Sequence, residues 1–100
     1  MSINSHLLPD SETVLIAVEG RFDESQENDF LHHLWKYPKG EKGYLLDLSN
    51  TQIITSTAIG LIIMMCEYSS VRQKVKISNA KGFVLASLTT AHVEKFVEFI

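Results

Sequence analysis

The stretch Gly43–Ile63, GYLLDLSNTQIITSTAIGLII, decides how this chain is read. Tyr44, Leu45, Leu46 and Leu48 form an apolar run of strand length, and Ser49–Gln52 supply a polar turn. Ile53 and Ile54 follow, then three consecutive hydroxyls (Thr55, Ser56, Thr57), and then an apolar stretch of helical character. Small hydroxyl residues ahead of such a stretch mark a helix start. A Ser or Thr oxygen at the N-cap accepts a bond from a free backbone N–H of the first turn. The same N–H groups and the helix dipole favour an anion. A hydroxyl here can be a silent cap or the acceptor of a phosphate, and the two readings lead to different functions.

Working outward, one hundred residues with 45% hydrophobic content are enough for one domain with its own core, spanning 1–100. Nine basic and twelve acidic residues give a net charge of −3, and no stretch gathers four or more Lys and Arg. Nucleic-acid binding is not expected from that balance, since such domains carry a basic face. The single Cys66 cannot form an internal disulfide and sits in an apolar run, which fits a reducing, cytoplasmic setting. MSINSHLLPDSE has neither the basic nor the apolar segment of a secretory signal. The longest apolar run, Ala58–Cys66, is about half of the roughly 20 residues a membrane span needs, so no membrane partner is expected.

The remaining elements follow from pattern. Ile3–Leu8 reads as a short edge strand ended by Pro9, and Thr13–Glu19 as a stronger strand closed by Gly20. Between Asp23 and Trp35 the apolar spacing turns helical, with Phe30, Leu31, Leu34 and Trp35 on one stripe. Asp23 is the expected N-cap, and Gln26 would complete a capping box. Tyr37–Gly40 makes a turn. Tyr44–Leu48 is apolar on both faces, as in a strand inside a sheet covered by helices. Thr57 to about Val71 is the next helix, Val75–Ser78 a strand, Asn79–Gly82 a turn and Phe83–Leu88 a short helix. Phe96–Ile100 is a last strand or helical turn. Strands alternating with helices predict an α/β domain with right-handed crossovers and a largely parallel sheet in the second half. The expectation is a mixed four- to five-stranded sheet with helices packed mainly on one face.

These residues resemble the STAS domain of bacterial anti-sigma factor antagonists. In that family a strand ending in an Asp-Leu-Ser-like sequence is followed by a turn, two apolar residues and Asp-Ser-Ser-Gly-Leu-Gly opening a helix. Here Leu46-Asp47-Leu48-Ser49 fits the strand end, Ile53-Ile54 the apolar pair, and Thr55-Ser56-Thr57-Ala58-Ile59-Gly60 the helix opening. VKISNA after the helix fits as well. Ser56 falls on the position phosphorylated in many such antagonists. Thr55 stands where the family usually has Asp, and Ala58 where it usually has Gly. The resemblance implies a non-enzymatic partner switch in signal transduction and transcription regulation. A serine kinase of the anti-sigma type, with a GHKL-like ATP-binding fold, modifies the serine and releases the complex. A PP2C-type phosphatase, on the same polypeptide or another, restores it. A single-domain biofilm regulator is one specific member type of this kind.

The physical basis of the switch is that phosphate adds about −1.5 to −2 charges at pH 7. The host helix tolerates them, whereas a partner docked over the site would meet a dianion. Thr55 and Thr57 are the alternate acceptors. The helix beyond the site has almost no polar face in its first two turns. Either neighbouring helices cover it, or it is a docking surface including Ala58, Ile59 and Met64 or Met65, edged by Glu67 and Tyr68. Asp23 and Glu24 could lie beside the site, and Asp23, Asp47, Thr55 and Thr57 are further candidate partner contacts. Asp47 would accept local N–H bonds or help position a kinase's metal. The competing function is a constitutive scaffold or small-ligand binder in which Ser56 only caps the helix.

An enzyme ranks third, for no nucleophile–base pair is visible and Ser56 lacks a Gly-x-Ser-x-Gly elbow. His32 and His33 adjoin on a helix and point apart, and His6 and His92 have no companion ligands, so no metal site is expected. Gly40, Gly43 and Gly60 do not make a phosphate-cradling loop, and no cofactor is expected.

Overall fold

The strand Thr13–Phe22 (β2) organises the molecule, which a computed structural model describes over residues 2–100. Ser2–Leu7 (β1) runs antiparallel to it, with Ile3 opposite Val18 and Leu7 opposite Val14. Gly43–Asp47 (β3) runs parallel on its other side, with Val14 opposite Tyr44 and Ile16 opposite Leu46. Val75–Ser78 (β5) and Val97–Phe99 (β6) extend the parallel part, giving the order β1-β2-β3-β5-β6. Helices Glu27–Leu34 (α1), Ser56–Tyr68 (α2) and Gly82–Thr90 (α3) connect the parallel strands, as parallel pairing requires. The chain is the mixed α/β domain expected.

One strand was not foreseen. Thr51–Ile54 (β4) pairs in parallel with the far end of β2, so the sheet has six strands rather than four or five. The register slips between Gly20 and Arg21, and Gly20 takes φ +88° at the slip, where a side chain would be strained. Gly20 N–H donates to Asn50 O at 2.9 Å, and Thr51 Oγ1–H to Val18 O at 2.7 Å. The expected polar turn thus shrinks to Ser49–Asn50.

Alternation along the strands explains the layering. Ile3, Val14, Ile16, Val18, Tyr44, Leu46, Val75, Ile77 and Val97 share one face and are buried. Their in-between neighbours Asn4, His6, Lys76 and Glu98 are exposed, and Leu15 and Leu45 only half-buried. The second apolar face of β3 is therefore open rather than covered by a helix. Phe30 and Leu34 of α1, and Ala58, Leu61, Ile62 and Met65 of α2, close the core from the covered face. Fully burying such side chains contributes about 1.5–3 kcal/mol each.

Several local readings need correction. Asp23 does cap, its Oδ1 accepting the Ser25 N–H at 3.0 Å, but it starts a single 3-10 turn, Glu24–Gln26, that leads into α1. The capping box does not form: Gln26 turns its amide to Arg21 O instead. Trp35 leaves the apolar stripe and is exposed, because α1 ends at Leu34. α2 ends at Tyr68 rather than Val71. Ser69 leaves the helix in extended backbone and Ser70 N–H donates to Lys42 O at 2.8 Å.

Candidate functional site

β3 ends at Asp47, opposite Ala17, whereas β2 runs on to Phe22, so the Asp47 and Asp23 turns lie at different points along β2. Phe22, the last residue of β2, accepts the Thr55 N–H through its carbonyl at 3.2 Å. That bond brings the Asp23 turn beside the start of α2. Asp47, at the end of β3, accepts from Ser49 N–H at 3.0 Å and from Asn79 Nδ2 at 3.1 Å. Ser49 and Ser78 hydroxyls complete its set. Burial alone would raise the Asp47 pKa, but these donors outweigh it and hold the carboxylate below its usual range. Asp23 is likewise held low, first by the Ser25 hydroxyl and also by Arg21, whose Nε lies 3.2 Å from Oδ2. Both carboxylates accept hydrogen bonds from their own chain, the local-acceptor role expected of Asp47.

The hydroxyl triplet is not arranged as a simple cap. Thr55 occupies the N-cap position in extended backbone (φ −112°, ψ 172°), yet its side chain makes no capping bond. Its Oγ1 is buried without a hydrogen-bond partner among the described residues. Ser56 is the first helical residue, not the cap, and it is exposed. The first turn holds no acidic residue, in contrast to α1 with Glu27 and Asp29. The α2 N-terminus therefore keeps free N–H groups and positive potential that nothing on its own side chains answers.

Because the Thr55 hydroxyl is orphaned, Thr55→Val should be neutral or stabilising, by up to about 1 kcal/mol. A loss of about 1 kcal/mol in urea unfolding would instead show that the hydroxyl caps the helix in solution.

Beyond the site, α2 resolves into two faces that the sequence could not separate. Ala58 and Met65 are fully buried at 0% exposure, so neither can meet a partner, and both are withdrawn as docking residues. Met64 is 40% exposed. Ser56, Gly60, Met64 and Glu67 are exposed, with Ile59 and Ile63 half-buried beside them, one stripe at helical spacing. Thr57 is half-buried. Tyr68 is half-buried, and its hydroxyl donates to Tyr37 O, which ties it to the domain rather than to a docking edge.

An open apolar groove of about 430 Å³ adjoins the stripe. It lies between the start of α2 and α3 and is lined by Ile54, Thr55, Ser56, Ile59, Phe83 and Ser87, among others. Phe83 stands 63% exposed at its side. Sequence reasoning missed Phe83, although an aromatic directly after Gly82 at a helix start was a signal available in the chain.

Cys66 is half-buried, and burial pushes its thiol up to about 11, leaving it unreactive at neutral pH. Among the described residues no group of three or more His, Cys, Asp or Glu is placed to hold a metal ion. No helix among them is long and apolar enough to cross a membrane.

No protein-family model and no curated protein matches the sequence. Solved structures match the fold. A protein from Thermotoga maritima described as an anti-sigma factor antagonist superposes with a TM-score of 0.78 at 13% identity, over 97% of this chain and 84% of its own. An anti-sigma factor antagonist from Mycobacterium paratuberculosis gives 0.75 at 12%, over 98% and 85%. SpoIIAA, an anti-sigma factor antagonist solved in its unphosphorylated form, gives 0.67 at 16%, over 99% and 87%. An anti-sigma factor antagonist STAS domain from Rhodobacter sphaeroides gives 0.53 at 19%, over 78% and 85%. With β1 antiparallel at one edge, a parallel remainder and helices on one face, this chain has the STAS fold shared by solved anti-sigma factor antagonists.

Proposed function

We propose that the protein is a non-enzymatic partner switch of the anti-sigma factor antagonist type, controlled by reversible phosphorylation of Ser56. One observation carries the reading: an exposed serine opens α2 at the head of a stripe on which Met64 is exposed and Ile59 and Ile63 are half-buried. The helix start is unanswered by any acidic side chain, so it accepts a dianion at little cost. The stripe supplies the surface on which a partner would feel that charge. Gly60 sits within it, and a Cβ built there would meet nothing within 4 Å. The chain's own packing does not require glycine at this position. Ile59, Met64 and Thr57 are the remaining docking candidates, with the Phe83 groove as their continuation.

The partner is a serine kinase of the anti-sigma type, and a PP2C-type phosphatase reverses the modification. The setting is the cytoplasm. A constitutive scaffold or small-ligand binder is the competing function, favoured only by the apolar groove.

The test is intact-mass measurement and site mapping on protein recovered from its own cells. The expected result is a fractional gain of about 80 Da, one phosphoryl group, mapped to Ser56 and rising when phosphatase activity is removed. Mapping to Thr57 would keep the mechanism and move the acceptor, whereas the buried Thr55 hydroxyl is not placed to accept phosphate in this fold. Unmodified protein under every condition would leave the scaffold reading.

A further inference from the structure

We propose that the outer edge of β1 pairs with the same strand of a second copy, joining two sheets into one across a two-fold axis. β1 is six residues long and pairs only with β2; among the described residues no strand lies on its other side. Proteins usually guard such an edge with Lys, Pro, a bulge or brevity, because unpaired backbone N–H and C=O groups template further pairing. The opposite edge obeys this rule, since β6 has three residues and carries Glu98. β1, SINSHL, has no formal charge at neutral pH with its histidine neutral, and no proline. Its register with β2 runs unbroken from Ser2 opposite Glu19 to Leu7 opposite Val14. It is also held in place, with Ser5 Oγ 2.6 Å from His33 Nδ1 of α1. The edge is presented as a strand already formed, and the ordering cost of pairing is reduced accordingly.

Two features select a second copy as the occupant. First, an uncharged strand asks for no charge-complementary partner, and pairing it with itself sets no like charges opposite one another despite the net charge of −3. Second, an antiparallel pair centred on Asn4 places Asn4 opposite the partner's Asn4 and Ile3 opposite the partner's Ser5. Ile3 and Ser5 lie on the helix-covered face, while Asn4 and His6 are exposed on the open one. This register therefore keeps both helix layers on the same side of the joined sheet. A slip by one residue would set covered face against open face.

The test is sedimentation equilibrium of the full chain from about micromolar to about millimolar concentration, where a monomer–dimer equilibrium is expected. Asn4→Lys places two like charges across the axis at an exposed position. It should weaken the dimer on the order of tenfold while leaving the urea midpoint unchanged. In a Cys66→Ser background, Asn4→Cys should form an interchain disulfide on mild oxidation. Directly opposed residues stand about 4.5–5.5 Å apart, within bridging range. Glu98→Cys in the same background should not cross-link. A wild-type chain monomeric throughout, an Asn4→Lys variant as dimeric as wild type, or equal cross-linking at positions 4 and 98 would each overturn the proposal.

Discussion

Ser56→Asp is expected to weaken binding of the serine-kinase partner on the order of a hundredfold while leaving the free protein as stable as before or slightly more so. The two effects have one cause with opposite signs. In the free domain the new carboxylate stands at the first residue of α2, facing N–H groups that have no side-chain acceptor. An acid there contributes about 0.3–1 kcal/mol. In the complex the same carboxylate would be covered by the partner, and Arg21 in the neighbouring segment is already paired with Asp23. Leaving a charge unpaired at a buried interface costs about 3 kcal/mol or more, which is the stated loss in affinity. Ser56→Ala removes only an exposed hydroxyl and should bind within about threefold of wild type, while blocking the release that phosphorylation causes. Calorimetric titration of the three forms against the co-purified partner reads the difference directly. If Ala and Asp variants bind alike, Ser56 is not a switch and the scaffold reading stands. Binding lost with both variants, together with a lowered unfolding midpoint, would point to structural damage and sink the mechanism as drawn.

How far the sequence could be read depended on whether its pattern carried a phase. Along β2, Val14, Ile16 and Val18 alternate with less buried neighbours, and period two gave both the strand and its covered face. Along α2 the apolar residues run all the way round for two turns, so spacing alone offered no means to tell Met64 from Met65. What separates them is tertiary: α1 and the sheet lie on the Ala58, Leu61, Ile62 and Met65 side. Burial removes Ala58 and Met65 from any docking surface and leaves Met64 exposed, a distinction the sequence did not hold. β4 was hidden for a different reason. TQII is four residues long, and its pairing depends on the distant glycine at which β2 changes register. Non-local pairing leaves little local trace.

The hydroxyl triplet illustrates a third kind of limit. Thr55-Ser56-Thr57 signalled a helix start correctly, but which hydroxyl would cap depended on side-chain rotation against a buried surface. Thr55 took the cap position and turned its oxygen inward, where it has no partner among the described residues. The capping box failed similarly, because Gln26 found a carbonyl on β2 that outcompeted the local bond. In both cases the backbone event was legible and the side-chain choice was not.

The site's geometry rests on the core immediately beneath it, and Phe22→Ala should show this. Phe22 is fully buried, its ring centroid lies 5.3 Å from that of Phe30, and its carbonyl holds the Thr55 N–H. Truncation removes the packing of β2 against α1 at the point where β2 positions the start of α2. The expected cost is about 3–5 kcal/mol. A domain of this size has about 5–15 kcal/mol in total, so the variant should unfold at a much lower urea concentration and lose partner binding at physiological temperature. Phe83→Ala is the informative counterpart. Phe83 is 63% exposed, so its removal should leave the unfolding midpoint within about 0.5 kcal/mol of wild type. If the groove between α2 and α3 belongs to the docking surface, the same change should weaken the partner on the order of tenfold or more, as loss of an aromatic anchor does. The pair separates support from contact: stability falls with Phe22, and affinity alone falls with Phe83. A Phe83→Ala variant that binds normally would confine the interface to the stripe from Ser56 through Met64. A Phe22→Ala variant with an unchanged midpoint would mean that the start of α2 is positioned by something other than the end of β2.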